Sequence, residues 1–299
     1  MDLSILIVVA SLVVPTLVAL GFFWLYRRWQ DRDGRRSPIE GKAIYGPGEQ
    51  LRKRIEEHTD HMMGGLLALF FLGPYFLAAW ALPRVSWYET RFGFGDWLLV
   101  AAFLAMTFWA IRRVIHHGNL RRRGLAGLKA ELFTAQELNR LIASGCTVLH
   151  DVPGEGFNLD HVVIGPRAVY VVETKSVRKP KRTGKGDEFK VIYDGEALRF
   201  PDAVSRKPIA QALAQRDWLA SYLKRAGNLS PQVVATVALP GWWIESSASA
   251  GNTVRVFNPA GRGAHFMTTH QGPPAIDTST AMLITQALQL RYASGDQRT

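Results

Sequence analysis

The chain has 299 residues, a formal net charge of +11 and one cysteine, a length typical of one or two domains. Because Cys146 has no second cysteine to pair with, an intrachain disulfide framework is excluded. From Arg112 to the end there are 25 Lys and Arg against 15 Asp and Glu, so a basic C-terminal part follows an apolar N-terminal part.

Three apolar segments predict membrane-spanning helices at 3–26, 62–82 and 92–111. The first two contain charge-free runs of 24 and 21 residues, and about 20 apolar residues suffice to cross the hydrocarbon core. The first run has no Lys or Arg before it and no small-residue cleavage site after it, which favours a span over a cleaved signal peptide. The third segment reaches spanning length only if Asp96 lies at its outer boundary.

The basic residues predict the orientation of these spans. The loop 27–61 holds nine Lys and Arg, the loop 83–96 holds two, and 112–123 holds five. Since basic loops tend to stay in the cytoplasm, three spans place the N-terminus outside and everything after residue 112 in the cytoplasm. The sequence therefore predicts an all-α, multi-pass membrane region at 1–117 and a cytoplasmic domain at 118–299.

After Gly124 the pattern of apolar residues changes to that of a folded α/β domain. A tight turn, Gly165 to Arg167, joins two of its predicted strands. The predicted helices are 125–143, 208–223 and 278–292, and the predicted strands are 147–150, 159–164, 168–174, 189–193, 197–200, 232–239 and 253–257. This order predicts one mixed β-sheet with flanking helices.

The segment 158–176, NLDHVVIGPRAVYVVETKS, carries the strongest chemical signal. Residues i and i+2 of a strand share a face, so Glu173 and Lys175 point the same way, and Asp160 lies on the partner strand of the hairpin. Two carboxylates beside an ammonium group suit a hard divalent cation such as Mg²⁺ or Mn²⁺, with waters and a substrate phosphate completing its coordination. The alternative is an exposed ion pair on an edge strand.

Residues 124–223 resemble the nuclease-related domain (NERD) family, a branch of the PD-(D/E)XK nuclease superfamily. The matching motifs are Glu131 in GLKAELFTAQEL, Asp160–His161 in NLDHVVIG, Glu173–Thr174–Lys175 in VYVVETKS and Gln211 in KPIAQALAQ. Two positions depart from the family pattern, Ala130 in place of a Gly and Lys207 in place of an Asn before the proline.

The resemblance implies a restriction-endonuclease-like fold, which the strands and closing helix of 232–293 would complete. It also implies a set of site residues. Asp160 and Glu173 would hold Mg²⁺ or Mn²⁺, Lys175 would act on the nucleophile, Glu131 would complete the acidic cluster, and Gln211 would contact the substrate.

A basic run follows the predicted site and includes Arg178, Lys179, Lys181 and Arg182. Such a run favours a polyanion, and beside a metal–carboxylate site that polyanion is nucleic acid. A solvated loop or a contact with anionic lipid are the alternatives. The sequence thus predicts a membrane-anchored, metal-dependent nuclease acting on DNA or RNA; the alternative is a non-catalytic module of the same fold that binds nucleic acid or lipid.

Overall fold

The structure is a computed structural model, and it describes residues 46–81, 93–180, 188–247, 253–269 and 274–295, with isolated positions between 21 and 28. The chain divides into two compact units. The first consists of Met1–Lys42 and Ile55–Arg122, and the second of Ala43–Arg54 and Arg123–Thr299.

Two long helices, α1 (Glu49–Ala81) and α2 (Phe94–Asn139), are the main elements of the first unit. Both are long and apolar enough to cross a membrane by length and composition. They cover the predicted spans 62–82 and 92–111 except for a few residues at the ends. The predicted span 3–26 falls almost entirely outside the described residues, so two candidate spans are observed where the sequence predicted three.

Within the first unit, α1 and α2 approach each other closely at Gly65. A Cβ atom built on Gly65 would lie 2.8 Å from the Val114 side chain, and Ala110 beside it is fully buried. Farther along the pair, the rings of Phe76 and Phe103 meet edge to face, 5.4 Å apart. Small residues at the crossing allow the close backbone approach that is typical of helix pairs in membranes.

The structure corrects the predicted start of the helix 125–143. This helix was predicted to be separate from the span 92–111, with the basic residues of 112–123 between them. Instead, α2 continues through Gly124 to Asn139, and a 3₁₀ turn, Arg140–Ser144, extends it to Gly145. The segment contains no proline, and a glycine inside a helix costs only about 1 kcal/mol relative to alanine, so Gly118 and Gly124 do not interrupt it.

The second unit is a mixed α/β fold that contains nine described strands and two further helices, α3 (Lys207–Gly227) and α4 (Thr278–Gly295). The strands are β1 Thr147–Pro153, β2 Asn158–Ile164, β3 Val169–Thr174, β4 Lys190–Tyr193, β5 Leu198–Arg199, β6 Val204–Ser205, β7 Val233–Ala238, β8 Trp243–Ser246 and β9 Val254–Phe257. The predicted tight turn is confirmed, because Gly165 N–H donates to the Ala168 carbonyl.

These strands form two sheets, although the sequence predicted one. The larger sheet has the order β1-β2-β3-β7-β9, with β1, β2 and β3 antiparallel and β3, β7 and β9 parallel. The smaller sheet has the order β6-β5-β4-β8. Strands β6 and β8 were not predicted, because two to four residues are too few to establish a periodic pattern.

Helices cover both faces of the larger sheet. Val169 and Val171 of β3 pack on one face with Leu219 of α3 and Leu288 of α4. Val172 packs on the other face with Leu138, near the end of α2. The β3–α3–β7 crossover therefore places α3 directly over β3 and β7, and this arrangement positions the site described next.

Candidate active site

Asp160 and Glu173 lie at the same end of the larger sheet, where β2 begins and β3 ends. The β2–β3 register pairs His161 with Val172, which puts Asp160 beside Glu173. One oxygen of Asp160, Oδ2, accepts a hydrogen bond of 2.7 Å from the backbone N–H of Thr174. The hairpin therefore holds both acids in place through its backbone.

Glu173 is almost fully buried, with 2% of its surface exposed, and both of its oxygens have partners. Lys175 Nζ lies 2.5 Å from Oε1, which confirms that the two side chains share a face of the strand. Gln215 Nε2 donates to Oε2 over 2.6 Å. Lys175 also donates to Gln211 Oε1 over 3.0 Å, so two amides of α3, one helical turn apart, hold the acid and its lysine.

Glu131 approaches the same acids from α2. Burial, followed by the carboxylates of Asp151 and Glu173, raises its pKa to about 7 against the opposing effect of Lys175. Burial also raises the pKa of Asp160 well above its usual range, and repulsion from Glu173 and Glu131 adds to this effect. Three carboxylates thus repel one another around a single lysine, and the cluster favours an additional positive charge.

Asp151 is a buried acid that the sequence did not single out. It has a left-handed backbone conformation, with φ of 49°. Its carboxylate accepts a hydrogen bond of 3.0 Å from Gln50 N–H, in the first turn of α1, and one of 2.8 Å from Asn158 Nδ2. Residues 43–54 belong to the same compact unit as the site, so this bond joins two segments of that unit that are far apart in sequence.

The first turn of α1 also lies against Glu131. Gly48, which is buried and has φ of 77°, sits so close to α2 that an added Cβ would meet a Leu128 methyl group and lie 3.3 Å from Glu131 Oε2. Glycine suits this position because any side chain is strained at this backbone conformation.

Two carboxylates of the site are suited to hold a divalent cation. The protein would supply only part of the cation's ligands. Among the described residues no group of three His, Cys, Asp or Glu side chains is arranged to hold a metal ion. Mg²⁺ is usually held through one or two carboxylates, with waters and substrate phosphates completing the octahedron. Asp160 is only partly buried. A cation beside it would relieve the repulsion among the carboxylates of the cluster.

The structure thus brings together five of the predicted site residues, Glu131, Asp160, Glu173, Lys175 and Gln211. Of the predicted basic run, Arg178 and Lys179 follow β3 and are exposed, whereas Lys181 and Arg182 lie outside the described residues. His161 points into the opposite face of the sheet and is fully buried, where its Nδ1 lies 2.9 Å from Nδ1 of His150.

Gln215 is the site residue that the sequence analysis missed, although its spacing of four from Gln211 places both on one face of a helix. Replacing Gln215 by Leu is expected to leave a buried carboxylate oxygen without its donor. Loss of a hydrogen bond to a charged group costs roughly 2 kcal/mol, so chemical denaturation should show a destabilisation of this order. The control Gln289→Leu, at an exposed position of α4, should have little effect; equal effects would mean that the Glu173 contact contributes nothing.

Comparison with known sequences agrees with this geometry. Residues 126–240 match the sequence model of the nuclease-related domain family, a range that includes all of the acids described above, the lysine and both glutamines. No curated protein and no solved structure gives a significant match to the chain. The chain therefore carries a nuclease-related domain of the NERD family, preceded by two long apolar helices.

Proposed function

We propose that the chain is a membrane-anchored, Mg²⁺-dependent nuclease whose restriction-endonuclease-like domain hydrolyses phosphodiester bonds of DNA or RNA. The observation that carries the proposal is the convergence of Asp160, Glu173 and Lys175 at one end of the larger sheet, within the matched domain. The acids and the lysine have the charges that phosphodiester hydrolysis requires.

Asp160 and Glu173 would hold the cation. When bound, Mg²⁺ or Mn²⁺ would offset the charge on the scissile phosphate and lower the pKa of a bound water. Lys175, held between Glu173 and Gln211, would orient the attacking water and stabilise the negative charge that develops on phosphate oxygens. Glu131, with a pKa raised to about 7, is suited to take up a proton near neutral pH.

One observation favours a second candidate, a non-catalytic module that binds nucleic acid or lipid. Both oxygens of Glu173 already have partners, Lys175 and Gln215, so Lys175 could serve as a permanent substitute for a cation. Incubating the full-length protein in detergent with plasmid, linear DNA and RNA separates the two candidates. Cleavage that depends on Mg²⁺ or Mn²⁺ and stops with EDTA supports the nuclease, and its absence supports the binding module.

The basic run should supply interactions with phosphate that do not depend on base sequence. Neutralising Arg178, Lys179, Lys181 and Arg182 is expected to weaken binding equally for unrelated sequences. The slope of log affinity against log salt concentration should fall by about one for each phosphate interaction that the substitutions remove. The control pair Lys224→Gln and Arg225→Gln, in the last turn of α3, should leave the slope unchanged. An unchanged slope in the fourfold variant would show that the run is a solvated loop or binds lipid.

The membrane topology is part of the proposal, with the N-terminus outside and the nuclease domain in the cytoplasm. The basic residues in the segments 27–61 and 112–123 support this orientation. A reporter that is active only in the cytoplasm should be active when fused after Thr299 and silent when inserted near Trp87. The opposite pattern would place the domain outside the cell and contradict the proposed orientation.

A further inference from the structure

Three consecutive basic residues lie near the start of α1. Arg52, Lys53 and Arg54 are all exposed, and within the part of the chain that the structure describes none of them forms an ion pair or a side-chain hydrogen bond. The acids at helical spacing from them do not pair with them. Glu57, for example, follows Arg54 by three residues, but its carboxylate approaches His61 Nε2 instead, at 3.9 Å. The three cations are therefore available to bind an anion from outside the chain.

The basic residues belong to a segment that is held against the candidate active site. The first turn of α1 bonds Asp151 through its backbone and lies against Glu131. Leu51 continues this contact along α2, because a Cβ built on Gly127 would lie 3.2 Å from Leu51 Cδ1. The segment 43–54 and the acids of the site are parts of one compact unit. Contacts within that unit therefore fix where the basic residues lie relative to the acids.

Arg54 is the basic residue that is directed towards the acids. It follows Leu51 by three residues, so the two side chains are neighbours on the helix surface. Lys53 follows Leu51 by two residues, about 200° around the helix, and points away from α2. The electrostatics agree with this placement: burial and the neighbouring carboxylates raise the pKa of Glu131, and the charge of Arg54, like that of Lys175, opposes this rise. The guanidinium thus lies within electrostatic reach of the site.

A cation without a protein partner suits the substrate phosphates at this place. The acids of the site repel a phosphodiester backbone, and the lysine among them, Lys175, is already held by Glu173 and Gln211. Arg54 has no such partner among the described residues. A guanidinium group offers N–H donors in a planar fork that matches two oxygens of one phosphate. A nucleic acid that brings one phosphate to the acids would therefore bring a neighbouring phosphate to Arg54.

We propose that Arg54 is a substrate-binding residue of the candidate active site, and that its guanidinium binds a backbone phosphate of the nucleic acid beside the scissile bond. Arg54 lies outside the matched residues 126–240, so the site would combine the nuclease-related domain with a side chain from the start of α1. The contact is with phosphate and carries no base specificity. The inference rests on the proposed function in that it takes nucleic acid as the substrate, and it adds a residue that the family match does not contain.

The test measures the binding of a fluorescent 20-base-pair duplex by the full-length protein in detergent with EDTA, over a series of salt concentrations. Arg54→Gln should weaken binding about tenfold at low salt and lower the slope of log affinity against log salt concentration by about one, the effect of one lost phosphate interaction. Arg54→Lys should keep the slope because it keeps the charge. The matched control is Lys53→Gln, which removes the same charge from the same helical turn on the side away from α2, and it should leave the slope unchanged.

An unchanged slope in Arg54→Gln, or an equal fall in Lys53→Gln, would overturn the inference. Anionic lipid is the competing partner of basic residues next to a membrane helix. Binding of fluorescent phosphatidylglycerol that is lost in Arg54→Gln, while the duplex binds as before, would assign the cation to lipid and likewise overturn the inference. Cleavage in Mg²⁺ separates this inference from the proposed function. A wild-type protein that cleaves, with unchanged binding and cleavage by Arg54→Gln, contradicts only the inference, whereas Arg54-dependent binding without cleavage contradicts only the nuclease.

Discussion

Replacing Glu173 by Gln is expected to abolish Mg²⁺-dependent cleavage while nucleic-acid binding is retained. The substitution keeps the size of the side chain but removes the charge that would retain the cation. The amide cannot accept hydrogen bonds from both Lys175 and Gln215, so one of these two interactions is also broken. Binding should persist or strengthen, because a negative charge near the phosphate has been removed.

Lys175→Ala provides the companion measurement. It should leave metal binding nearly intact but remove electrostatic stabilisation worth about 3 kcal/mol, a factor of 10² or more in rate. Single-turnover cleavage and probe binding are measured together, and circular dichroism establishes that each variant is folded. A wild-type protein that binds without cleaving, and two variants that behave like it, would leave only the binding module.

Glu131→Gln is expected to stabilise the protein above neutral pH. Because the pKa of Glu131 is raised from 4.5 to about 7 in the folded state, the wild-type carboxyl takes up a proton on folding at pH values between these two. The contribution of this carboxyl to the free energy of unfolding is therefore fully present below pH 4.5 and is lost as the pH rises through 7. A pKa shift of this size corresponds to roughly 3 kcal/mol in the free energy of unfolding. The Gln variant does not lose this stability at high pH, because its side chain does not ionise.

The measurement is the free energy of unfolding from pH 4 to pH 8.5 in EDTA. The difference between Glu131→Gln and wild type should grow with pH and level off near pH 8. The control Glu155→Gln removes an exposed acid that pairs with Arg225 outside the cluster, and should change the free energy of unfolding little. A parallel pH dependence of Glu131→Gln and wild type would mean that Glu131 is not held among the other acids. Added Mg²⁺ should stabilise wild type more than the variant.

The sequence was sufficient to predict the centre of the second unit, because its signals are local. The β2–β3 hairpin has alternating apolar residues and a short turn, and these set the register that places Asp160 beside Glu173. The spacing of Glu173 and Lys175 fixes their common face on any strand. Gln211 follows from the resemblance, and Gln215 could have been found by helical spacing.

Contacts between distant segments could not be predicted in this way. Asp151 was placed outside the predicted strand 147–150, and nothing near it in the sequence indicates a bond to Gln50, 101 residues away. The smaller sheet depends on pairing β4 with β8, and each strand alone is too short to be recognised. The continuity of α2 was missed because the charged residues 112–123 were interpreted as separating two helices, whereas charged residues occur equally well on a solvated helix face.

The second unit, within which Gln50 binds Asp151, is discontinuous along the sequence. The segment 43–54 is separated from the rest of its unit, 123–299, by the whole helical hairpin formed by α1 and α2. A single recombination event within the hairpin would therefore transfer 123–299 without the turn that satisfies a buried carboxylate and lies against Glu131. During synthesis, likewise, the ribosome makes this turn first, and its hydrogen bond to Asp151 can form only after the residues between them have been made. A chain that keeps 123–299 without 43–54 would leave Asp151 without the hydrogen bond from Gln50.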